Sequence, residues 1–291
     1  MDTTEAASPR AAANQRPAGA VRRAARELAL VAALFLAYKA GRVVAAGRAS
    51  TALADGERVW RLERLLHLPS EAAFQQPLLA HDLLVRLANC YYAWVHFPAT
   101  AICLVWLYVR HPVHYRWIRR ALAALTAAAL ALHVLVPLAP PRMTGLTGLV
   151  DTGSRYGPAV YGSPEVDTLS NQYAAMPSLH VGWALAVAVA LIVVTSGRLR
   201  WLWLAHPLVT LLVVVTTGNH YWLDAIVATV LLVLILTVLP RPLAIRRPPV
   251  VPAPAGRVRP HLVGKRRYEQ RRPPRPRRPP SRASSVGGGR R

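Results

Sequence analysis

The chain has 291 residues, 53% of them hydrophobic, and a formal net charge of +23. The apolar residues fall in blocks of about 18–22, the length that crosses a ~30 Å hydrocarbon core, which excludes an ordinary soluble domain. The charge does not mark a nucleic-acid binder, because beyond Pro240 sixteen Lys and Arg face only Glu269, with no aromatic interleaving and no binding motif.

In chain order, residues 1–26 form a polar Ala/Arg-rich arm, read as disordered, and no cleavable signal peptide is evident. The first apolar block is 28–46. Around residues 58–66 apolar side chains recur at helical spacing with charges between them, the pattern of a helix lying on the membrane surface. Residues 78–88 suit either a second such helix or an early start to the second span. Further apolar blocks follow at 90–109, 117–138, 179–196, 201–218 and 221–239. Cys90 and Cys103 share one of these helices at a spacing of about 20 Å, far beyond disulfide reach, and read as core thiols. The sequence therefore predicts an all-α polytopic membrane protein, a bundle of six transmembrane helices within residues 27–240. Residues 241–291 read as a disordered Arg/Pro-rich tail held near anionic headgroups.

Lys and Arg near helix ends set orientation. Arg10, Arg16, Arg22, Arg23 and Arg26 precede the first block. Arg110, Arg116, Arg119 and Arg120 lie between the second and third, and Arg198 and Arg200 between the fourth and fifth. With six spans, all of these and the tail fall on one side, so both termini are expected in the cytoplasm. Segments 47–89, 139–178 and the turn at 218–219 fall on the other.

Two histidines stand at the lips of predicted spans on that second side. Met176-Pro177-Ser178-Leu179-His180 opens the fourth, and Asn219-His220-Tyr221-Trp222-Leu223-Asp224 opens the sixth. An ionisable residue at a span is a functional signal. Pro140-Pro141-Arg142, after the third span, lands at the same surface. The spacing of His220 and Asp224 puts them on one helical face, where the carboxylate can orient the imidazole. His180 can give a proton to a leaving alkoxide, Ser178 stands where a helix is N-capped, and Arg142 offers a planar fork for phosphate oxygens. Nucleophile, orienter, acid and oxyanion donors are the parts of phosphoryl transfer through a phosphohistidine. His96 and His133 lie within spans without a partner at short spacing and read as structural. No metal spacing stands out, and the chemistry calls for no cofactor.

At these residues the chain resembles the phosphatidic acid phosphatase type 2 superfamily. Pro177-Ser178-Leu179-His180 is similar to its second signature and His220-Tyr221-Trp222-Leu223-Asp224 to its third. Residues 173–183 and 218–224 most resemble the branch of inositol phosphorylceramide synthases and their bacterial relatives. The resemblance implies a six-helix membrane enzyme with His220 as nucleophile, Asp224 as orienter and His180 as general acid. Two departures stand out. The first signature lacks its lysine around Pro140-Pro141-Arg142, and Val214 occupies the place of the arginine that usually precedes the third-signature histidine by six. Both absences also characterise the synthase-like branch. They favour a lipid phosphotransferase, passing inositol phosphate or a related headgroup between lipids, over a lipid phosphate phosphatase. The expected partners are a phospholipid or inositol-lipid substrate and the cell membrane, with the site on the extracytoplasmic face. A transporter binding a headgroup without chemistry is the alternative of another class.

The tail has no apolar periodicity and lies across the membrane from the site in this topology. Truncation after Pro242 is expected to leave turnover at saturating substrate unchanged. A salt-sensitive loss confined to anionic vesicles would report an electrostatic tether.

Overall fold

The computed structural model describes residues 9–160 and 172–242. The tail beyond 242, and residues 161–171, lie outside the described residues. The first helix, α1 (Pro9–Ala46), starts well ahead of the apolar block. Residues 9–26, read from composition as a disordered arm, are helical, in keeping with the high helix propensity of Ala and Arg. Next come α2 (Ala49–Leu65) and α3 (Glu71–Leu79). The chain is extended at His81 and then enters α4 (Asp82–Cys90), a π-helical turn (Tyr91–Val95) and α5 (His96–Arg110), which join into one 29-residue rod. The ambiguity over residues 78–88 is thereby resolved: from Asp82 onward they belong to this long apolar rod.

Pro112 opens α6 (Pro112–Leu135), where its missing N–H costs nothing. The short α7 (Thr152–Tyr156) is capped by the Asp151 carboxylate. Then follow α8 (Leu179–Val194), a 3₁₀ segment (Arg198–Leu204) leading into α9 (Ala205–Thr216), and α10 (Trp222–Val238). The described residues contain no strand, only an isolated parallel bridge between Leu138 and Ala174.

This is an all-α membrane protein. Three helical rods, Asp82–Arg110, Pro112–Leu135 and Arg198–Thr216, are long and apolar enough to cross a bilayer. α8 and α10 are shorter, 16 and 17 residues, than the blocks at 179–196 and 221–239. Each is trimmed by its caps. Ser178 and Tyr221 hold non-helical backbone at the starts, and Thr195 and Leu239 are extended at the ends.

α6, α8 and α10 pack together at the centre, with α5, α9 and α1 around them. Their shared core contains Leu107, Ile118, Leu125, Val187, Ala190 and Leu232. Small side chains let the helices approach: Ala121 and Ala129 on α6 and Ala184, Ala186, Ala188 and Ala190 on α8 are all buried. At Gly182 a Cβ would lie 2.8 Å from Leu125 Cδ2. Large apolar residues such as Ile102, Val105, Leu208, Val230 and Leu234 point outward instead. That is how a surface solvated by lipid differs from one solvated by water. α1 runs alongside α6 in the same direction. Glu27 pairs with Arg119 and accepts from Tyr115 Oη near the start of α6, and Arg48 Nη1 donates to Val134 O at its end, at 2.7 Å.

α2 docks on the end of the bundle that carries the site. Ala139 N donates to Ala52 O, and Gly56 lies against Ala139 O and Tyr221 Oη, where a Cβ would meet them at 3.0 and 3.1 Å. A larger residue at position 56 would hold α2 off this surface.

Candidate functional site

The site begins with the way α10 starts. Tyr221 has extended backbone and is the N-cap, so Asp224 is the third helical residue. From there its Oδ2 accepts the Tyr221 N–H at 2.8 Å, occupying one of the N–H donors that every helix start leaves over. The same oxygen lies 3.2 Å from His220 Nδ1. The two residues therefore do not share a helical face, as their spacing suggested. His220 stands just outside the helix and meets Asp224 across the cap.

His220 Nδ1 also lies 2.8 Å from Ala175 O. A carbonyl and a carboxylate both accept, so Nδ1 carries the proton and Nε2 keeps the lone pair. Burial, the largest influence, pushes the imidazole down to about 4, with Arg142 acting in the same direction and the Ala175 carbonyl against it. His220 is thus neutral at physiological pH.

The second histidine is held to the first by backbone. Leu138 N donates to Tyr173 O and Ala175 N to Leu138 O, which fixes the segment that presents the Ala175 carbonyl. Ser178 Oγ caps α8 by accepting from Val181 N at 3.4 Å, and Ser178 N donates to Asp224 O at 3.1 Å. Ser178 is fully buried and ties α8 to α10. The next turn places the His180 ring 5.8 Å from that of His220, centroid to centroid.

Arg142 approaches from a third segment. It sits on a 3₁₀ turn, Pro141–Met143, and its N–H donates to Gly218 O at 3.0 Å. Gly218 takes φ +70°, and a Cβ there would lie 3.0 Å from Arg142 Cβ, so the turn before His220 needs glycine on both counts. The Arg142 guanidinium donates to Asn219 Oδ1, and its Nε is 3.4 Å from Asp151 Oδ2. A small opening beside it is lined by Asn89, Tyr92, Arg142, Asp151, Ser154 and Asn219.

All five residues singled out from sequence, Arg142, Ser178, His180, His220 and Asp224, thus meet at one end of the bundle. Others at the site had no signal in the motifs. The π-helical turn brings Tyr92 onto the His180 ring, stacked at 4.5 Å, and His96 lies 4.9 Å from it. π-turns recur at functional sites, but no periodicity predicts them. His133 Nε2 lies 3.4 Å from Pro177 O, beneath the second signature. Val214 is buried against Tyr92, Val181 and Ala225, and its carbonyl accepts from Asn219 N and His220 N. The position that lacks an arginine therefore supports the turn through its backbone. Among the described residues no group of three or more His, Cys, Asp or Glu is placed to hold a metal ion.

Comparison with known proteins gives one match, a family model described as the PAP2 superfamily, over residues 57–238. No curated protein and no solved structure matches.

The cap geometry has a direct signature. In ¹⁵N NMR of histidine-labelled protein in micelles, His220 is expected as the neutral Nδ1–H tautomer. Its pKa is depressed, so it should gain its second proton only as pH falls through about 4. An ordinary titration near 6.5 would contradict the buried, carbonyl-bonded ring.

Proposed function

The chain belongs to the PAP2 superfamily, the family of membrane phosphatases and phosphotransferases that act on lipid phosphoesters, and we propose that it is a lipid phosphotransferase working through a phosphohistidine. The observation that carries this reading is the Nδ1–H of His220, shared between Ala175 O and Asp224 Oδ2, which leaves Nε2 as the attacking atom. Nε2 attacks phosphorus, and the bond to the lipid alcohol breaks. His180 gives that alkoxide its proton, and Arg142 and Asn219 bind the phosphoryl oxygens. An acceptor alcohol, deprotonated by His180, then takes the phosphoryl group from His220. Water in place of that alcohol makes the same cycle a hydrolysis.

The charge of the site supports a diester donor. Arg142 is next to Asp151, which offsets it, and neither a lysine in the first signature nor an arginine at position 214 adds to it. Such a pocket suits a phosphate with one negative charge, such as that of phosphatidylinositol, better than a dianionic monoester. The transferred group is then inositol phosphate or a related headgroup phosphate. In this reading the chain has six spans, both termini are cytoplasmic and the site faces the extracytoplasmic side of the cell membrane. α1 running parallel to α6 is in keeping with it. The positions of Arg110, Arg116, Arg119, Arg120, Arg198 and Arg200 support that orientation.

His220→Ala and His180→Ala should each lower kcat on lipid phosphoesters in detergent micelles by about 10³-fold or more, with the protein still folded and inserted. Near-normal activity in either variant removes the residue from the mechanism.

Donor choice separates transferase from phosphatase. The kcat/KM ratio of phosphatidylinositol to phosphatidic acid in matched mixed micelles should favour the diester by about one to two decades, since one charge-assisted contact contributes ~1.5–3 kcal/mol. Asp151→Asn, which keeps the cap of α7, should move the ratio toward phosphatidic acid. A preference of the native protein for phosphatidic acid would establish the hydrolase reading instead.

A further inference from the structure

Among the buried polar side chains that take no part in this chemistry are Glu63 on α2, and Glu71 and Gln75 on α3, each no more than 1% exposed. A surface helix has no packing reason to bury carboxylates, and each is costly without a partner. Their contacts converge on the two ends of the segment 217–221, which carries His220. Gln75 Nε2 donates to Thr216 O, the end of α9, at 3.0 Å, and to Val150 O at 2.9 Å, while its Oε1 accepts from Val150 N. Glu63 Oε1 accepts from Leu223 N at 2.8 Å, in the first turn of α10. One short pair of helices thus grips both sides of the turn.

The two carboxyls share a single cation. Arg64 Nη2 lies 3.8 Å from Glu63 Oε2 and 3.6 Å from Glu71 Oε2. Glu63 Oε2 and Glu71 Oε1 are buried and lack a hydrogen-bond partner, a shortfall that one proton between two acceptors repairs. The groups facing Glu63 are Glu71 from α3, Arg64 from its own helix, and Tyr221 and Asp224 from the start of α10. All but Arg64 disfavour a second negative charge there.

We propose that Glu63 and Glu71 hold one proton between them and that Glu63 and Gln75 are positioning residues, clamping the ends of α9 and α10 so that His220 and Asp224 keep their register. The neutral Glu63 carboxyl accepts the Leu223 N–H through Oε1 and donates its O–H to Glu71, so every hydrogen is placed. Burial, and next the bond to Glu71, raise Glu63 to about 9. The proton is therefore held at neutral pH and leaves as pH rises through about 9. Glu63 and Glu71 are then two buried negative charges beside Arg64, and their repulsion across the α2–α3 contact loosens the clamp. The catalytic half of this inference rests on the role proposed above for His220, whereas the shared proton does not.

The test uses full-length protein with phosphatidylinositol in mixed micelles as probe, comparing Glu63→Gln, Glu63→Ala and Gln75→Ala. Glutamine mimics the protonated carboxyl. Glu63→Gln should keep kcat within about twofold and remove the fall in activity near pH 9. Glu63→Ala and Gln75→Ala should lower kcat about ten- to hundredfold with little change in KM, as misplaced reacting groups do. In the native protein an infrared carboxylic-acid carbonyl band should persist to about pH 9 and vanish in Glu63→Gln. Native kcat in Glu63→Ala, or in Gln75→Ala if the first variant does not fold, overturns the clamp. A band untouched by Glu63→Gln overturns the shared proton. A native protein that turns over no lipid phosphoester refutes the phosphotransferase reading alone. The clamp is then decided by mass-spectrometric rates of His220 carbethoxylation, which should change in Gln75→Ala and not in Glu63→Gln; an unchanged rate in Gln75→Ala overturns it.

Discussion

One buried carboxylate organises the site. Asp224 is fully buried in the first turn of α10, where the unsatisfied N–H groups and the helix dipole both favour an acceptor. Its Oδ2 completes the cap through Tyr221 N and orients His220, while its backbone carbonyl takes the Ser178 N–H and so fixes the start of α8. The cap that starts one helix therefore also sets the tautomer of one histidine and the position of the other. Loss of that carboxylate would release the cap of α10 and the His220 ring together, while the backbone bond that holds Ser178 would remain.

The site stands at the end of the bundle for a reason rooted in lipid solvation. Within hydrocarbon every backbone polar group must be satisfied inside its own helix, and irregular backbone survives only where protein covers it. The turn at 217–221 and the segments around Arg142 and Ala175 are irregular, and each is paired with another: Arg142 N with Gly218 O, Ala175 N with Leu138 O, Ser178 N with Asp224 O. α2 covers them, with Gly56 permitting its closest approach to Tyr221 and Ala139. Below this layer the bundle turns apolar and close-packed, with Gly182 and the alanines of α6 and α8 at the helix contacts and large side chains toward lipid.

Much of this was legible in the sequence because apolar blocks and motifs are local signals. Helix order, the amphipathic stretch around residues 58–66 and the five residues Arg142, Ser178, His180, His220 and Asp224 all follow from composition, spacing and motif resemblance. Helix ends were less legible. The 221–239 block made His220 and Asp224 look like neighbours on a helix face, because apolarity does not show where the cap falls. Tyr92 carried no signal, since a π-turn within an apolar run leaves the composition unchanged, and His96 read as structural because the ring it meets, that of His180, is remote in the chain. Glu63 read as one of the charges between the apolar positions of a surface helix, because periodicity reports an element's own faces and not what docks on them.

The sequence by itself determined what local chemistry encodes: an all-α membrane chain, its basic segments, and two histidine motifs each opening an apolar helix. Only the tertiary structure decided which atoms meet. The Nδ1–H of His220 depends on a carbonyl 45 residues away, the offset of Arg142 on Asp151, and the ends of α9 and α10 on α2 and α3. Those contacts join segments remote in the chain, and their geometry exists only once the helices have packed.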